Sequence, residues 1–372
     1  MIKPRKSGAR WGACRHVRWL VLAGLLLPPI CVGQQFPALP ALNIDITETS
    51  ISGLSSGAFL AVQFEVAHSS IIKGIGIIAG GPYYCAQNDI ARATTRCSCT
   101  LDPAHSACSV SPTSTDVGAL ERATGKFFAE HLIDDPHNLA QHRVYVLAGE
   151  QDPIVPSAIA SQLSDYYGSF SVTGLKITVK PNTGHTMPTL AFGNRCSATE
   201  SPYIGRCGYD AAQELLSWIY GPLQPKQNGA LTGRFSQFDQ TAYVHAAAFL
   251  WLTGMDTTGW IYVPRACAQG ERCRLHVALH GCEQGQSYIP DHPPRGGGLY
   301  YGTTFVRHAG YAPWADTNHI VVLFPQAVSI PSLNPSGCWD WWGYTDGNYA
   351  NQHGAQIAAI RAMVDQIASG RH

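Results

Sequence analysis

Charge is scarce in this 372-residue chain. Asp, Glu, Lys and Arg make up 13% of it, about half of the roughly 25% usual for soluble domains. Its 25 acidic residues offset its 25 basic ones, so the formal net charge is zero. Such a chain lacks the electrostatic footprint of a nucleic-acid or acidic-polymer binder. It contains no C-x-x-C pair and no H-E-x-x-H, so the common zinc patterns are missing. No metal or cofactor is expected. Internal repeats and low-complexity tails are absent, and no apolar run, the N-terminal one included, is long enough to span a bilayer comfortably.

What is present is apolar and aromatic. Hydrophobic residues are 45% of the chain, with 9 Trp and 16 Tyr. That composition fits a neutral or apolar substrate; it also fits a disulfide-rich exported protein that carries few charges. The N-terminus supports export. Lys3, Arg5, Lys6, Arg10, Arg15 and Arg18 form a basic stretch, residues 19–27 are apolar, and 28–33 follow as a cleavage region. Residues 1–33 therefore read as a secretory signal. Pro28-Pro29-Ile30 is a poor lipobox, which disfavours a lipid anchor at Cys31. Removing Cys14 and Cys31 leaves 10 of the 12 cysteines, the even number an oxidised framework needs. Pairing is open on sequence alone. The expected bridges are Cys196–Cys207 and Cys267–Cys273 as short loops and Cys282–Cys338 as a long tie.

Strand and helix patterns alternate, which argues for an α/β layer fold. Strands are expected over 43–47, 71–79, 143–149, 175–180, 259–264, 275–279 and 320–324. Helices are expected over 58–67, 117–131, 157–167, 211–220 and 354–367. The Cys/Ser/Thr-rich stretch 85–115 reads as a stapled surface loop. The Pro/Gln/Asn/Gly-rich stretch 221–233 reads as a boundary, although the part after it has no independent logic. Residues 34–372 are thus expected to form one domain.

The chemistry centres on Gly53-Leu54-Ser55-Ser56-Gly57, which fits G-x-S-x-G. On a strand–turn–helix this motif exposes a nucleophilic serine above a helix N-terminus. The partners follow in the order acid then histidine. Asp152 lies in Gly149-Glu150-Gln151-Asp152-Pro153, just past a core strand, with Glu150 as its competitor; the bland alternative is an Asx-turn. His185 lies in Thr183-Gly184-His185-Thr186, past the next strand. Ser55 would attack an acyl carbon, His185 would shuttle the proton and Asp152 would fix the imidazole tautomer. The Ser56 amide would supply one oxyanion donor. A second normally comes from a His-Gly loop after a core strand, and His280-Gly281-Cys282 has that form. It lies after the triad in sequence, and the elbow lies unusually early in the chain.

Leu279-His280-Gly281-Cys282-Glu283-Gln284, Phe324-Pro325-Gln326 and Cys338-Trp339-Asp340-Trp341 resemble the signature blocks of secreted polyhydroxyalkanoate depolymerases and related esterases. Because the blocks follow the elbow, the order resembles the circularly permuted (type 2) class of poly(3-hydroxybutyrate) depolymerase, over roughly residues 44–368. The resemblance implies a permuted α/β-hydrolase, a mostly parallel sheet with helices on both faces, joined near 221–233. It implies Ser55, Asp152 and His185 as the triad, with the Ser56 and Cys282 amides as oxyanion hole. It implies Trp339 as an exposed aromatic contacting polyester, pinned by Cys282–Cys338; Trp341 and Trp342, read as an aromatic cluster, are expected in the core. The substrate would be a polyester or 3-hydroxyalkanoate oligomer, cleaved by an exported monomer free of the membrane after signal removal. No linker and separate binding domain is apparent, so 241–254 and 288–301 are the expected polymer-binding surfaces. Other readings are a general carboxylesterase, a feruloyl- or acetyl-polysaccharide esterase, and a secreted binding protein with a relic triad.

Overall fold

The computed structural model describes residues 36–100, 108–244, 250–292 and 298–371. The expected signal, with Cys14 and Cys31, lies outside them. The chain builds an eight-stranded sheet from β1 (Thr49–Leu54), β2 (Ile72–Ile78), β3 (Arg143–Gly149), β4 (Gly174–Lys180), β8 (Arg234–Asp239), β9 (Thr258–Val263), β10 (Arg274–Leu279) and β11 (Ile320–Phe324). Three short strands, β5 to β7 (Met187–Thr189, Asn194–Arg195, Ile204–Arg206), form a separate small sheet. The large sheet runs β4-β3-β2-β1-β10-β11-β9-β8. Its neighbours are parallel except where β9 meets β11 and β8. Counted from β8 to β11 and then β1 to β4, the spatial order is 1-2-4-3-5-6-7-8.

Helices cover both faces, which is why the central strands read as nearly unbroken apolar runs. Alternate residues of one strand enter different cores. Val144 and Val146 join Ile51, Val277 and the helices Ser56–Ala67 (α1) and Ala355–Ala368. Tyr145 and Leu147 join Ile78, Ala278 and the helices Ala211–Tyr220 and Tyr311–Thr317. Every residue of α1 is buried, so it carries no polar stripe for sequence periodicity to find.

One expected strand is displaced. Residues 43–47 do not pair as a strand, apart from a single bridge from Ile44 to Cys273. Asp45 instead accepts from the Thr47 amide at 3.2 Å and its hydroxyl at 2.8 Å, capping a short 3-10 turn. An Asp side chain offers the backbone this alternative to a ladder, and β1 starts only at Thr49. The stretch 221–233 forms no helix or strand. It is fastened by Asp316, which accepts from the Thr232 and Gly233 amides at 2.7 and 3.0 Å. The two ends of the described body meet, with the Leu42 amide donating to the Ile367 carbonyl at 2.7 Å.

Ten cysteines are paired. The three expected bridges are present, joined by Cys85–Cys97 and Cys99–Cys108 in the stapled stretch.

Candidate active site

β1 ends at Leu54, α1 begins at Ser56, and Ser55 turns the chain between them at φ +56°. A side-chain-bearing residue in that region stores backbone strain of about 1–3 kcal/mol. Hydrogen bonds from the surrounding fold impose it: the Ser55 amide donates to Ile78 O at 2.9 Å, and Ser55 O accepts from Ala58 N at 2.8 Å. The flanking glycines are steric necessities. A Cβ on Gly53 would lie 2.2 Å from the Gly57 carbonyl carbon, and one on Gly57 would lie 2.3 Å from His280 O. Absence of a side chain at Gly57 thus lets α1 approach the end of β10.

Asp152 follows β3 and is buried. Its Oδ1 accepts from the Ile154 and Val155 amides, both at 2.8 Å, while Oδ2 lies 2.8 Å from His185 Nδ1. The Asx-turn and the histidine contact therefore coexist, one oxygen for each. Glu150, the competitor, is exposed. His185 follows β4, and its amide donates to Thr199 Oγ1 at 2.9 Å. The Gly184 amide donates to Cys196 O at 2.9 Å, which ties the loop to the small sheet stapled by Cys196–Cys207. With Nδ1 donating to the carboxylate, Nε2 is left as the proton acceptor. Ser55 and His185 line one cavity of about 160 Å³.

The His-Gly loop leaves β10 beside the elbow. His280 Nε2 accepts from the Ala327 amide at 3.1 Å, so Nδ1 carries the proton and donates to Gly281 O at 2.6 Å. Burial pushes this imidazole down to about 4, so it is neutral and acts as a brace. The Gly281 amide donates to Gln284 Oε1 at 2.7 Å, and Gln284 Nε2 donates to Pro202 O at 2.9 Å. The Cys282–Cys338 disulfide closes the loop from the other side. Cys282 thereby faces the cavities around Ser55. Ser56 heads α1, where the first amides lack intrahelical acceptors.

Trp339 corrects an expectation. It is fully buried, donates from Nε1 to His280 O at 2.9 Å, and its backbone amide donates to Ser56 Oγ at 3.3 Å. An indole holding the oxyanion loop from behind has no free face for polymer. Trp341 is buried in the core, as expected, and Trp342 packs partly buried against that core. Trp341 and Trp342 line a cleft of about 410 Å³ together with Ser55, Phe59, Ile154 and Leu333. Trp341 stacks on Phe59 at 4.0 Å and meets Trp342 edge-on at 5.7 Å. Asp340 holds the turn that follows. It is buried and accepts from the Gly343, Tyr344 and Thr345 amides at 2.7, 3.0 and 2.9 Å, turning the chain back toward the cleft.

The cleft and the smaller cavity share Ser55, Thr100, Ile154, Cys282, Ser336 and Cys338, so they flank the serine. Sequence reasoning missed Tyr203, Glu283 and the Leu333–Ser336 wall; only the nearness of 333–336 to Cys338 hinted at the last. Of the surfaces expected to bind polymer, Leu252, Ile289, Leu299 and Tyr300 are exposed, while 245–249 and 293–297 lie outside the described residues. A cavity of about 450 Å³ lies at the opposite end of β1, lined by Asp45, Glu48, Arg272 and Arg274. Its charges pair among themselves, and it has no connection to Ser55. Among the described residues, no group of three or more His, Cys, Asp or Glu is placed to hold a metal ion.

No protein-family model matches the chain. It is 40% identical over 338 residues to a poly(3-hydroxybutyrate) depolymerase of Delftia acidovorans, covering 89% of this chain and 62% of that protein's length. It is 38% identical over 371 residues to a polyhydroxybutyrate depolymerase of Talaromyces funiculosus, covering 95% of this chain and 97% of that protein. A solved PHB depolymerase from Penicillium funiculosum superimposes with a TM-score of 0.78 at 35% identity, over 90% of this chain and all of that one. A PHB depolymerase variant solved with an R3HB trimer matches equally well. With that identity sustained over nearly the whole of a relative's length, and the fold shared, the chain belongs to the polyhydroxybutyrate depolymerase family.

Proposed function

We propose that this protein hydrolyses the ester bonds of poly(3-hydroxybutyrate) or its oligomers through an acyl-serine intermediate. The observation that carries the reading is the buried Asp152–His185 contact of 2.8 Å, opening onto the cavity that holds Ser55. Ser55 Oγ attacks the ester carbon as its proton passes to His185 Nε2, and Asp152 stabilises the imidazolium. The oxyanion takes the Ser56 and Cys282 amides, a donor pair worth roughly 3–4 kcal/mol each in comparable sites. Collapse breaks the ester C–O bond, and His185 protonates the departing alcohol. Water then repeats the sequence, releasing the acid and restoring Ser55. Apolar walls at Ile154, Leu333, Trp341 and Trp342 suit a neutral aliphatic ester.

The strand order supports a further proposal, that the fold is a permuted α/β-hydrolase sheet. Reading from β8 gives one regular order, and the ends adjoin at Leu42 and Ile367. The stretch 221–233 would then be the junction. The disulfide framework supports export. Clearing of a poly(3-hydroxybutyrate) suspension, run beside release of ferulate and acetate from polysaccharide esters, tests the substrate. Clearing is expected; ferulate or acetate release without clearing would replace the reading with a polysaccharide esterase.

A further inference from the structure

The smaller cavity holds a carboxylate that the triad mechanism does not use. Glu283 directly follows Cys282 and lines this cavity with His185 and Tyr203. It adopts φ +64°, a left-handed conformation that disfavours any residue with a Cβ. The loop enforces it through the Glu283 amide, which donates to Ser336 O at 2.7 Å. The Tyr203 hydroxyl donates to Glu283 Oε2 at 3.0 Å, and burial together with the Glu283 charge keeps that phenol protonated. Asp291 adds a second negative charge acting on Tyr203 and Tyr288. Among the described residues, no ion pair neutralises Glu283.

His185 lines this cavity and not the apolar cleft. The imidazole must protonate the departing oxygen, so the alcohol product leaves on this side. In a 3-hydroxy acid chain that oxygen sits on C3 of the next unit. The C1 carboxyl of that unit is esterified when chain continues and free when the unit is terminal. Attack on the last ester bond therefore brings a carboxylate, two carbons beyond the carbon bearing the departing oxygen, into the cavity with Glu283.

We propose that Glu283 is a charge filter on the alcohol side, which admits an uncharged continuing chain and repels a free carboxylate end. The proposal rests on the ester-hydrolysis reading above and deepens it by assigning a preference for internal over carboxyl-terminal bonds. The test compares cleavage of the central ester in a 3-hydroxybutyrate dimer presented as the free acid and as the uncharged N-methylamide. The wild-type enzyme is expected to favour the amide by roughly tenfold in kcat/KM at low salt, as an unscreened like charge at close range requires. Glu283→Gln should shrink that ratio to about threefold or less, and about 0.5 M NaCl should shrink it in the wild type, where screening is strong. The salt arm needs no variant and decides the matter if Glu283→Gln does not fold. An enzyme that cleaves the amide-capped dimer with a ratio unmoved by both changes overturns the filter alone. Failure to cleave either dimer or the polymer overturns the ester-hydrolysis reading, and the filter with it.

Discussion

Between Thr49 and Tyr220 the chain sets three reactive side chains, Ser55, Asp152 and His185, just past the ends of β1, β3 and β4. Between Arg234 and Ala368 it sets none, and instead supplies what faces them: the His280–Cys282 loop, the Leu333–Ser336 wall and the Trp341–Trp342 edge. The first region acts through single atoms on side chains. The second acts through backbone amides and surface. Substitutions in the first should therefore abolish chemistry, whereas those in the second should move geometry, affinity or stability by degrees.

The largest effect expected from a near-isosteric change is that of Asp152→Asn. It keeps the turn-forming Oδ1 but removes the charge that fixes the His185 tautomer, so kcat should fall by about 10³–10⁴-fold. A fall below tenfold in a butyrate ester assay would move Asp152 out of the triad. Gly57→Ala tests the seam between the two regions. Its new Cβ, 2.3 Å from His280 O, must push the oxyanion loop away from the elbow. A kcat loss of about 10²–10³-fold with little change in KM is expected, the size of one lost oxyanion donor. A KM effect alone would show that the loop serves binding only.

The histidines sharpen the contrast by their protonation. His276, wedged between Ser50 and Ser52 on β1, and His280 are buried in the second region and held down to about 3 and about 4, chiefly by burial. The unfolded chain takes up these protons near 6.5 and the folded one does not. Stability is thus full above about pH 6.5 and falls as pH drops toward 4. Each histidine contributes up to about 1.4 kcal/mol per pH unit, so these two together should cost about 4 kcal/mol in urea unfolding at pH 5 relative to pH 7, and His68 of the first region, also held down to about 4 chiefly by burial, adds to that loss. A flat profile would mean that these imidazoles are protonated in the fold. The smallest effects separate the tryptophans. Trp342→Ala should raise KM for oligomers several-fold while sparing a short p-nitrophenyl acetate. Trp339→Phe should cost about 1 kcal/mol in unfolding, for the hydrogen bond to His280 O, and leave KM alone. The reverse pattern would return the substrate role to Trp339.

The two regions also differed in how much their sequence disclosed. Ser55, Asp152 and His185 sit on loops next to strands with strong apolar runs, so motif and order together located them. β8 was missed because Arg234–Asp239 is a partly exposed antiparallel edge strand whose residues mix charge and apolar character. Trp339 was misplaced because its burial follows from long-range contacts, its indole donating to His280 O and its amide to Ser56 Oγ. Residues 338–341 are buried throughout, so no local in-and-out pattern marks which of the tryptophans meets the cleft. Glu283 and Tyr203 come together over 80 residues of separation, a contact no local pattern encodes.

Everything proposed for the site depends on Ser55 carrying the acyl group. Incubation of the oxidised protein with a fluorophosphonate, followed by peptide mass mapping, tests it most directly. One adduct is expected, on the peptide bearing Ser55, absent in Ser55→Ala and blocked by prior incubation with 3-hydroxybutyrate oligomer. An unlabelled Ser55 in folded protein that still cleaves esters, or an adduct on another residue, would contradict it.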